Sequence, residues 1–344
     1  MSSATRRLAR ARIPKRVSRR NPTTSVDITP LVVRLPALSR IPRVALGCYP
    51  TPVLALTSLS PSLWIKRDDL CAEPMGGNKA RALEFLLADL RAGEHVVTVG
   101  SEGSTHALAV AVYAARLGAR VSVGRWRQEM NAVAERVARQ LVESTERAPV
   151  FRSPMGAYLW AWRQRQRGAR WIPAGGTTPL GILGHVNAGL ELVAQIDAGV
   201  LPSPDRVVVP LGTGGTMAGL ALAFRIAGRD IDVVGARVVP RIVGRKRRVL
   251  RLAHRTARLI ERVTGESLPR VRRRDVAIAH GNYGGAYGRE TESGKSAAAR
   301  LYAAAAISLD PTYSAKAFAL ALDLASRGPT VFWLTFDSRI LGAS

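Results

Sequence analysis

The sequence predicts an α/β protein built on largely parallel sheet, and three observations carry that prediction. Short β-branched runs alternate with helical segments of roughly 10–15 residues, the order expected of strand–helix–strand units. Three of the runs end in turns rich in glycine, serine or threonine, at 101–106, 175–178 and 212–216. No convincing internal repeat interrupts the alternation. In open sheets of this kind ligands gather at the carboxyl ends of the strands, so these turns mark the candidate site.

The elements follow in order. Residues 23–52 read as irregular and Pro-rich, and LWIKRDDL (63–70) as a short strand leaving into a turn. A helix is expected over 79–92. HVVTVG (95–100) suits a buried parallel strand and precedes a helix at 107–118. ARVSVGRW gives the next strand, followed by a helix near 130–144. WIPAGGTTPLG (171–181) ends a strand in a glycine turn before a helix at 186–196. DRVVVPLGTGGTMAGLALAF repeats strand, glycine loop and helix, and IDVVGARVV supplies another strand. RKRRVLRLAHRTARLIERV places Val249, Leu252, Ala253, Ile260 and Val263 at helical spacing with arginines elsewhere, an amphipathic helix with a basic face.

Composition narrows the function. With 344 residues, 47% of them hydrophobic, the chain can bury a sizeable core in one large or two moderate domains. No uninterrupted run of 18 apolar residues suggests a membrane span. Cys48 and Cys71 are too few for a disulfide scaffold or a structural zinc site, and the five histidines show no metal-ligand spacing, so no metal is expected. The net charge of +26 is mostly arginine: six lysines leave 45 arginines among the 51 basic residues, a pattern that base composition alone produces. The acid-free, basic start of the chain lacks an apolar core and is no secretory signal. It reads as a disordered tail, with an organellar transit peptide as the minor alternative to a cytoplasmic protein. The basic face of 245–263 allows nonspecific polyanion binding, although no nucleic-acid-binding motif accompanies it.

Against this background each lysine is informative, because arginine cannot serve as a neutral amine nucleophile and lysine can. EPMGGNKARALEFLL (73–87) sets Lys79 directly behind a Gly-Gly-Asn turn, at the threshold of a helix, with Asn78 as a plausible N-cap. Helix N-termini favour anions, so this amine invites a use. PLGTGGTMAGL (210–220) offers the complementary feature. Gly212, Gly214 and Gly215 let backbone N–H groups point inward, and Thr213 and Thr216 add hydroxyls, which together make a phosphate cradle. The loop matches neither the P-loop nor the dinucleotide fingerprint. Ser104 and Thr105 lack a nucleophile elbow and suit either a helix cap or hydrogen bonding to a carboxylate. His106 reads as a packing histidine. Tyr287 and Tyr313 lie in turns, where a phenol can act as acid, base or wall.

Taken together, YPTPV (49–53), LWIKRDDL, GGNKARALEF (76–85), PAGGTTPLGILGHVNAGLEL (173–192), LGTGGTMAGL (211–220) and LDPTYSAKA (309–317) resemble, in order, the pyridoxal-phosphate (PLP) enzymes typified by D-cysteine desulfhydrase and 1-aminocyclopropane-1-carboxylate (ACC) deaminase. The resemblance covers roughly 48–337 and implies fold type II, that of the tryptophan synthase β subunit. It implies two open, largely parallel sheets flanked by helices: a larger cofactor-binding domain of 26–80 and 176–344, and a smaller one of 81–175, after a tail of 1–25. Lys79 matches the lysine that bonds to the cofactor aldehyde, and 212–216 the phosphate loop. Ser104 matches a serine at the substrate carboxylate with a nucleophilic or proton-relay role, and Tyr287 and Tyr313 match tyrosines assigned to substrate binding and proton handling. Asn78 matches a residue at the ring oxygen, and Ser314 or Thr335 falls near the ring nitrogen.

The chain departs from the family pattern at several positions. Thr105 replaces an expected asparagine, Ser314 replaces the glutamate of ACC deaminases, and Phe336 and Asp337 replace two glycines, where they are expected to reshape the pocket. The reaction implied is α,β-elimination on a small amino acid, giving a 2-oxo acid and ammonia, in a homodimer. The alternatives are ACC ring opening, β-replacement, and a decayed paralogue that binds polyanions.

Overall fold

The computed structural model describes residues 29–73 and 75–341; the basic tail at 1–25 lies outside them. In chain order the elements are α1 (Pro30–Arg34), β1 (Val53–Ala55), β2 (Leu63–Arg67), α2 (Asn78–Leu86), β3 (His95–Ser101), α3 (Thr105–Arg116), β4 (Arg120–Trp126) and α4 (Ala132–Glu143). They continue as β5 (Val150–Phe151), α5 (Pro154–Gln166), β6 (Arg170–Ile172), α6 (Pro179–Asp197), β7 (Arg206–Leu211), α7 (Gly215–Ile226), β8 (Asp232–Arg237) and α8 (Lys246–Thr264). The last are β9 (Val276–Ala279), α9 (Glu292–Ala305), α10 (Ser314–Ala325) and β10 (Thr330–Leu334).

Two sheets result. Six strands in the order β1-β2-β10-β7-β8-β9 form one, and four in the order β5-β4-β3-β6 form the other. Every pairing is parallel except β1 with β2. Both faces of the larger sheet are buried, as parallel sheet requires. On β10, Val331 and Trp333 join the core beneath α6, α7 and α8, while Phe332 and Leu334 join the core beneath α9 and α10. In the smaller sheet Val96 faces α3, and Val97 and Val99 face α5.

Several boundaries differ from the sequence expectation. α6 begins at Pro179, seven residues before the expected start, because Thr178 caps it through Gly181 N–H and proline fits the first helical turn. α2 stops at Leu86 rather than 92. α5 was not expected at all: its apolar residues show no helical stripe, and Tyr158, Leu159 and Trp162 remain substantially exposed. Among the described residues no helix is long and apolar enough to cross a membrane, and no group of three or more His, Cys, Asp or Glu is placed to hold a metal ion.

α2, α6 and α7 pack unusually closely. A Cβ at Gly184 would sit 1.9 Å from the Arg81 carbonyl oxygen, so α6 meets α2 backbone to side-chain-free backbone. Gly184→Ala is expected to destabilise the protein by at least about 1–3 kcal/mol, the usual cost of overpacking. Urea denaturation of the variant against the parent chain checks this, and an unchanged midpoint would refute the contact.

Candidate active site

The turns after β2, β3, β6, β7 and β10 border one cavity of about 730 Å³. Lys79, Asn78, Ser104, Thr105, Gly212, Thr213, Gly214, Gly215, Thr216, Tyr287, Tyr313 and Thr335 all line it. Ser314 is not among these lining residues: it is fully buried, and its backbone N–H donates to Asp310 Oδ2 at 3.0 Å.

Lys79 is the second residue of α2. The N-cap is Gly77, not Asn78. Gly77 has φ 109°, and a Cβ there would lie 2.3 Å from the Thr335 carbonyl oxygen, so the turn requires glycine. The Asn78 carboxamide is used elsewhere: its Nδ2 donates to Thr216 Oγ1 at 2.8 Å. The residue next to the lysine is thus bonded to the glycine loop across 138 positions of sequence. Burial holds the Lys79 amine down at about 8, from an ordinary value of 10.5, with no carboxylate opposing the shift.

The glycine loop makes the N-terminus of α7. Gly214 occupies the N-cap with φ 92°, no side chain caps the helix, and no acid lies in its first turn. Its free N–H groups therefore form an anion seat. Thr177 Oγ1 and Thr213 Oγ1 are hydrogen-bonded at 2.6 Å beside it. Arg248 Nε donates to the Thr213 carbonyl at 3.0 Å.

At the end of β3, Ser104 caps α3 by accepting from Ala107 N–H at 3.2 Å. Its own hydroxyl proton stays free to donate, so the cap and a ligand contact are compatible. Tyr287 and Tyr313 share a hydroxyl–hydroxyl hydrogen bond with their rings edge to face. Burial pushes both phenols up, and for Tyr313 the Tyr287 hydroxyl adds to the effect. Asp310 orients Tyr313 by accepting its backbone N–H at 2.7 Å. Asn131 ties the Tyr287 turn to the segment before Tyr313 through Gly288 O and Thr312 Oγ1.

Sequence reading missed several residues of the wall. His106 and His185 line the cavity as neutral imidazoles, burial and the Lys79 charge holding each down at about 3. His185 Nδ1 is buried without a hydrogen-bond partner. Of the two bulky residues expected to reshape the pocket, Phe336 is on its wall. Asp337 is not: it pairs with Arg339 and accepts from Gly76 N–H.

Behind α2 lies a buried ionic cluster that no local pattern announced. Arg81 binds Asp68 at 2.6 Å and Glu191 at 2.9 Å, and Lys66 Nζ binds Glu191 at 2.6 Å. Thr51 donates to both carboxylates. Burial pushes Asp68 and Glu191 up, but Arg81 and Lys66 outweigh it and leave both carboxyls below their usual range.

This geometry fits the cofactor that the family comparison now supplies. The sequence matches the family described as pyridoxal-phosphate dependent enzyme over residues 44–334. Nocardicin C-9' epimerase of Nocardia uniformis subsp. tsuyamanensis is 33% identical, over 89% of this chain and 95% of the relative. D-cysteine desulfhydrase of Salmonella paratyphi A is 31% identical, over 86% and 94%. Among solved structures an ACC deaminase homologue superposes with a TM-score of 0.74 at 28% identity, covering 90% of this chain and 94% of that one. The chain belongs to the pyridoxal-phosphate dependent enzymes, and within them it is of the ACC deaminase and D-cysteine desulfhydrase type. The residues present suit that cofactor: an uncapped helix end for a phosphate, an amine with a lowered pKa for an aldehyde, and an unpartnered imidazole nitrogen between them in the chain.

The ionic cluster has a measurable consequence. Glu191→Ala strands Lys66 and half of Arg81's partners in the interior, and a loss of about 3–5 kcal/mol in urea denaturation is expected. Asp68 and Glu191, with depressed pKa values, contribute stability above about pH 4.5 that is lost as the pH falls below about 3.8. The variant should therefore show a shallower acid unfolding profile than the parent.

Proposed function

We propose that this protein catalyses PLP-dependent α,β-elimination on an amino acid with a leaving group at Cβ, releasing a 2-oxo acid and ammonia as a D-cysteine desulfhydrase does. The observation that carries the reading is Lys79: an amine with a pKa near 8, with no carboxylate opposing the shift, lining the same cavity as an open glycine helix end. We assign the phosphate to the N–H groups of 212–216 with the hydroxyls of Thr213 and Thr216, and the ring to Asn78, Thr105 and Thr335. Ser314 is the alternative to Thr335 near the ring nitrogen. The cofactor supplies an electron sink for the carbanion at Cα.

The chain's own residues do the rest. Lys79 Nζ, neutral in a substantial fraction of molecules near pH 8, removes the α-proton and returns a proton later. The Ser104 hydroxyl and the first N–H groups of α3, with Thr105, bind the substrate carboxylate. Tyr313, its phenol kept protonated by burial, hands a proton to the departing group and regains one through Tyr287. The neighbouring imidazoles remain neutral and do not compete for that proton. The division into a larger unit of 26–80 and 176–344 and a smaller one of 81–175, a homodimeric state and a cytoplasmic location belong to the same proposal.

A second reading, inversion at Cα, draws on the epimerase relative and on two proton-handling groups, Lys79 and the tyrosine pair, bordering one cavity. Product analysis in heavy water separates the two. Elimination yields 2-oxo acid and ammonia, whereas inversion yields the opposite enantiomer deuterated at Cα.

Two outcomes test the lysine. Lys79→Arg should retain the fold, with a melting temperature within a few degrees, while turnover falls by at least about 10²–10⁴-fold. After borohydride reduction and dialysis the parent chain should keep a covalently attached, reduced cofactor absorbing in the near ultraviolet and Lys79→Arg should keep none, and a variant that kept it would remove Lys79 from its role. Capture of pyridoxal 5'-phosphate by the apoprotein should rise about fivefold from pH 7 to pH 8 and level off above pH 9, following the free amine. A rate still climbing tenfold per unit at pH 9 would show an ordinary lysine.

A further inference from the structure

The cavity continues well beyond the lysine and the glycine loop. Its lining also includes Trp126 and Arg127, at the end of β4, and Tyr158 on α5. Val239 and Val243, after β8, and Arg248 on α8 line it as well. The Trp126 and Tyr158 rings lie 6.2 Å apart and nearly parallel, at 19°. Trp171 braces Tyr158 edge-on at 6.1 Å. The Arg248 charge opposes the upward push of burial on the Tyr158 phenol. Arg248 is anchored at its Nε by the Thr213 carbonyl.

The charges here are unbalanced. Among the described residues neither Arg127 nor Arg248 forms an ion pair with a carboxylate. Glu129, the acid in the same lining, is held by Arg289 at 3.2 Å. The volume of about 730 Å³ has to hold the cofactor and the substrate together, and it lies in the range that drug-sized ligands fill, about 300–1,000 Å³. Aromatic walls reward a planar apolar group through offset stacking, and free guanidinium groups reward an anion beyond it.

We propose that this part of the cavity is a side-chain subsite, and that the preferred substrate is an amino acid whose β-substituent carries a planar ring ending in an anionic group. Trp126 and Tyr158 hold the ring, Arg127 and Arg248 the anion. The inference rests on the elimination reading for its assay and goes beyond the small amino acid that the sequence led us to expect. For an S-substituted cysteine the reaction balances as R–S–CH2–CH(NH3+)–COO− plus water giving R–SH, CH3–CO–COO− and NH4+. The α-proton and the C–S bond are lost, the thiol takes one proton, and water hydrolyses the imine product.

The test uses the full-length holoenzyme and both enantiomers of S-methyl-, S-benzyl- and S-(4-carboxybenzyl)cysteine. Release of 2-oxo acid gives kcat/KM, and the cofactor absorbance gives binding. Each step along that series should raise kcat/KM by about tenfold, the scale of one aromatic or charged contact. Trp126→Ala should lower the benzyl-to-methyl ratio about tenfold. The double variant Arg127→Ala with Arg248→Ala should lower the carboxybenzyl-to-benzyl ratio about tenfold and leave the benzyl-to-methyl ratio in place. General damage moves all substrates together and leaves both ratios fixed, so fixed ratios overturn the subsite. So does a holoenzyme that handles S-methylcysteine at least as well as the larger compounds. Binding in the expected order without 2-oxo acid supports the subsite and overturns elimination alone. A cofactor spectrum that no compound perturbs overturns both.

Discussion

The cluster of Arg81, Asp68, Glu191 and Lys66 fixes the helix on which the candidate chemistry depends. Its two cations and two carboxylates neutralise one another, and every charge is hydrogen-bonded, which is the condition under which buried ions are tolerated. Such a cluster gives little net stability over a well-packed apolar one. Its effect is positional. Arg81 is two residues beyond Lys79, so its bonds to β2's following turn and to α6 set both the depth and the rotation of α2. Glu84 adds a second anchor, binding Arg43 and the N–H groups of Leu46 and Gly47. At about 100° per residue the helix then has one remaining direction for position 79, and that direction is the cavity.

Electrostatics around the cavity follow from which helix ends are capped. α3 and α6 direct their N-termini toward it with Ser104 and Thr178 satisfying an N–H each. α2 and α7 have glycine caps and no side-chain acceptor. The first turn of α2 carries Lys79, whose charge the helix end disfavours in the same direction as burial does. The first turn of α7 carries no charged group, so it is the end left open to an anion. An amine with a lowered pKa and an anion seat are thereby placed on one cavity by two glycine-capped helix ends.

How much of this was legible in the sequence depends on whether a feature is periodic or tertiary. The alternation of strands and helices was readable because buried parallel strands and amphipathic helices impose their periods on the residues. α5 escaped because the helix is wetted on the side where Tyr158 and Trp162 sit, which erases the stripe. The turn at 76–79 was readable as special, but Asn78 was misread as a cap, since its real partner, Thr216, is remote in sequence. The same reason hid Arg81's role: GGNKAR, LWIKRDDL and VNAGLE were each visible as motifs, yet nothing in them states that Arg81, Asp68 and Glu191 meet.

The C-terminal departure from the family pattern shows how a change at the wall can leave the lysine turn intact. Gly77 pairs with Phe336 in an antiparallel bridge, and Asn78 N–H donates to the Thr335 carbonyl at 3.1 Å. The segment after β10 is therefore a clamp on the turn, and the clamp is made by backbone, which any residue supplies. Side chains at 336 and 337 alternate, as they do along a strand, so one faces the cavity and the next faces away. Phe336 narrows the wall. Asp337 turns to Gly76 N–H and Arg339, and Arg339 in turn reaches the Asp69 carbonyl, which closes a second set of bonds around the same turn. Two glycines would leave this clamp free to flex. Phenylalanine and aspartate fix it, so the substitution tightens the support of Lys79 while altering the shape of what Lys79 faces.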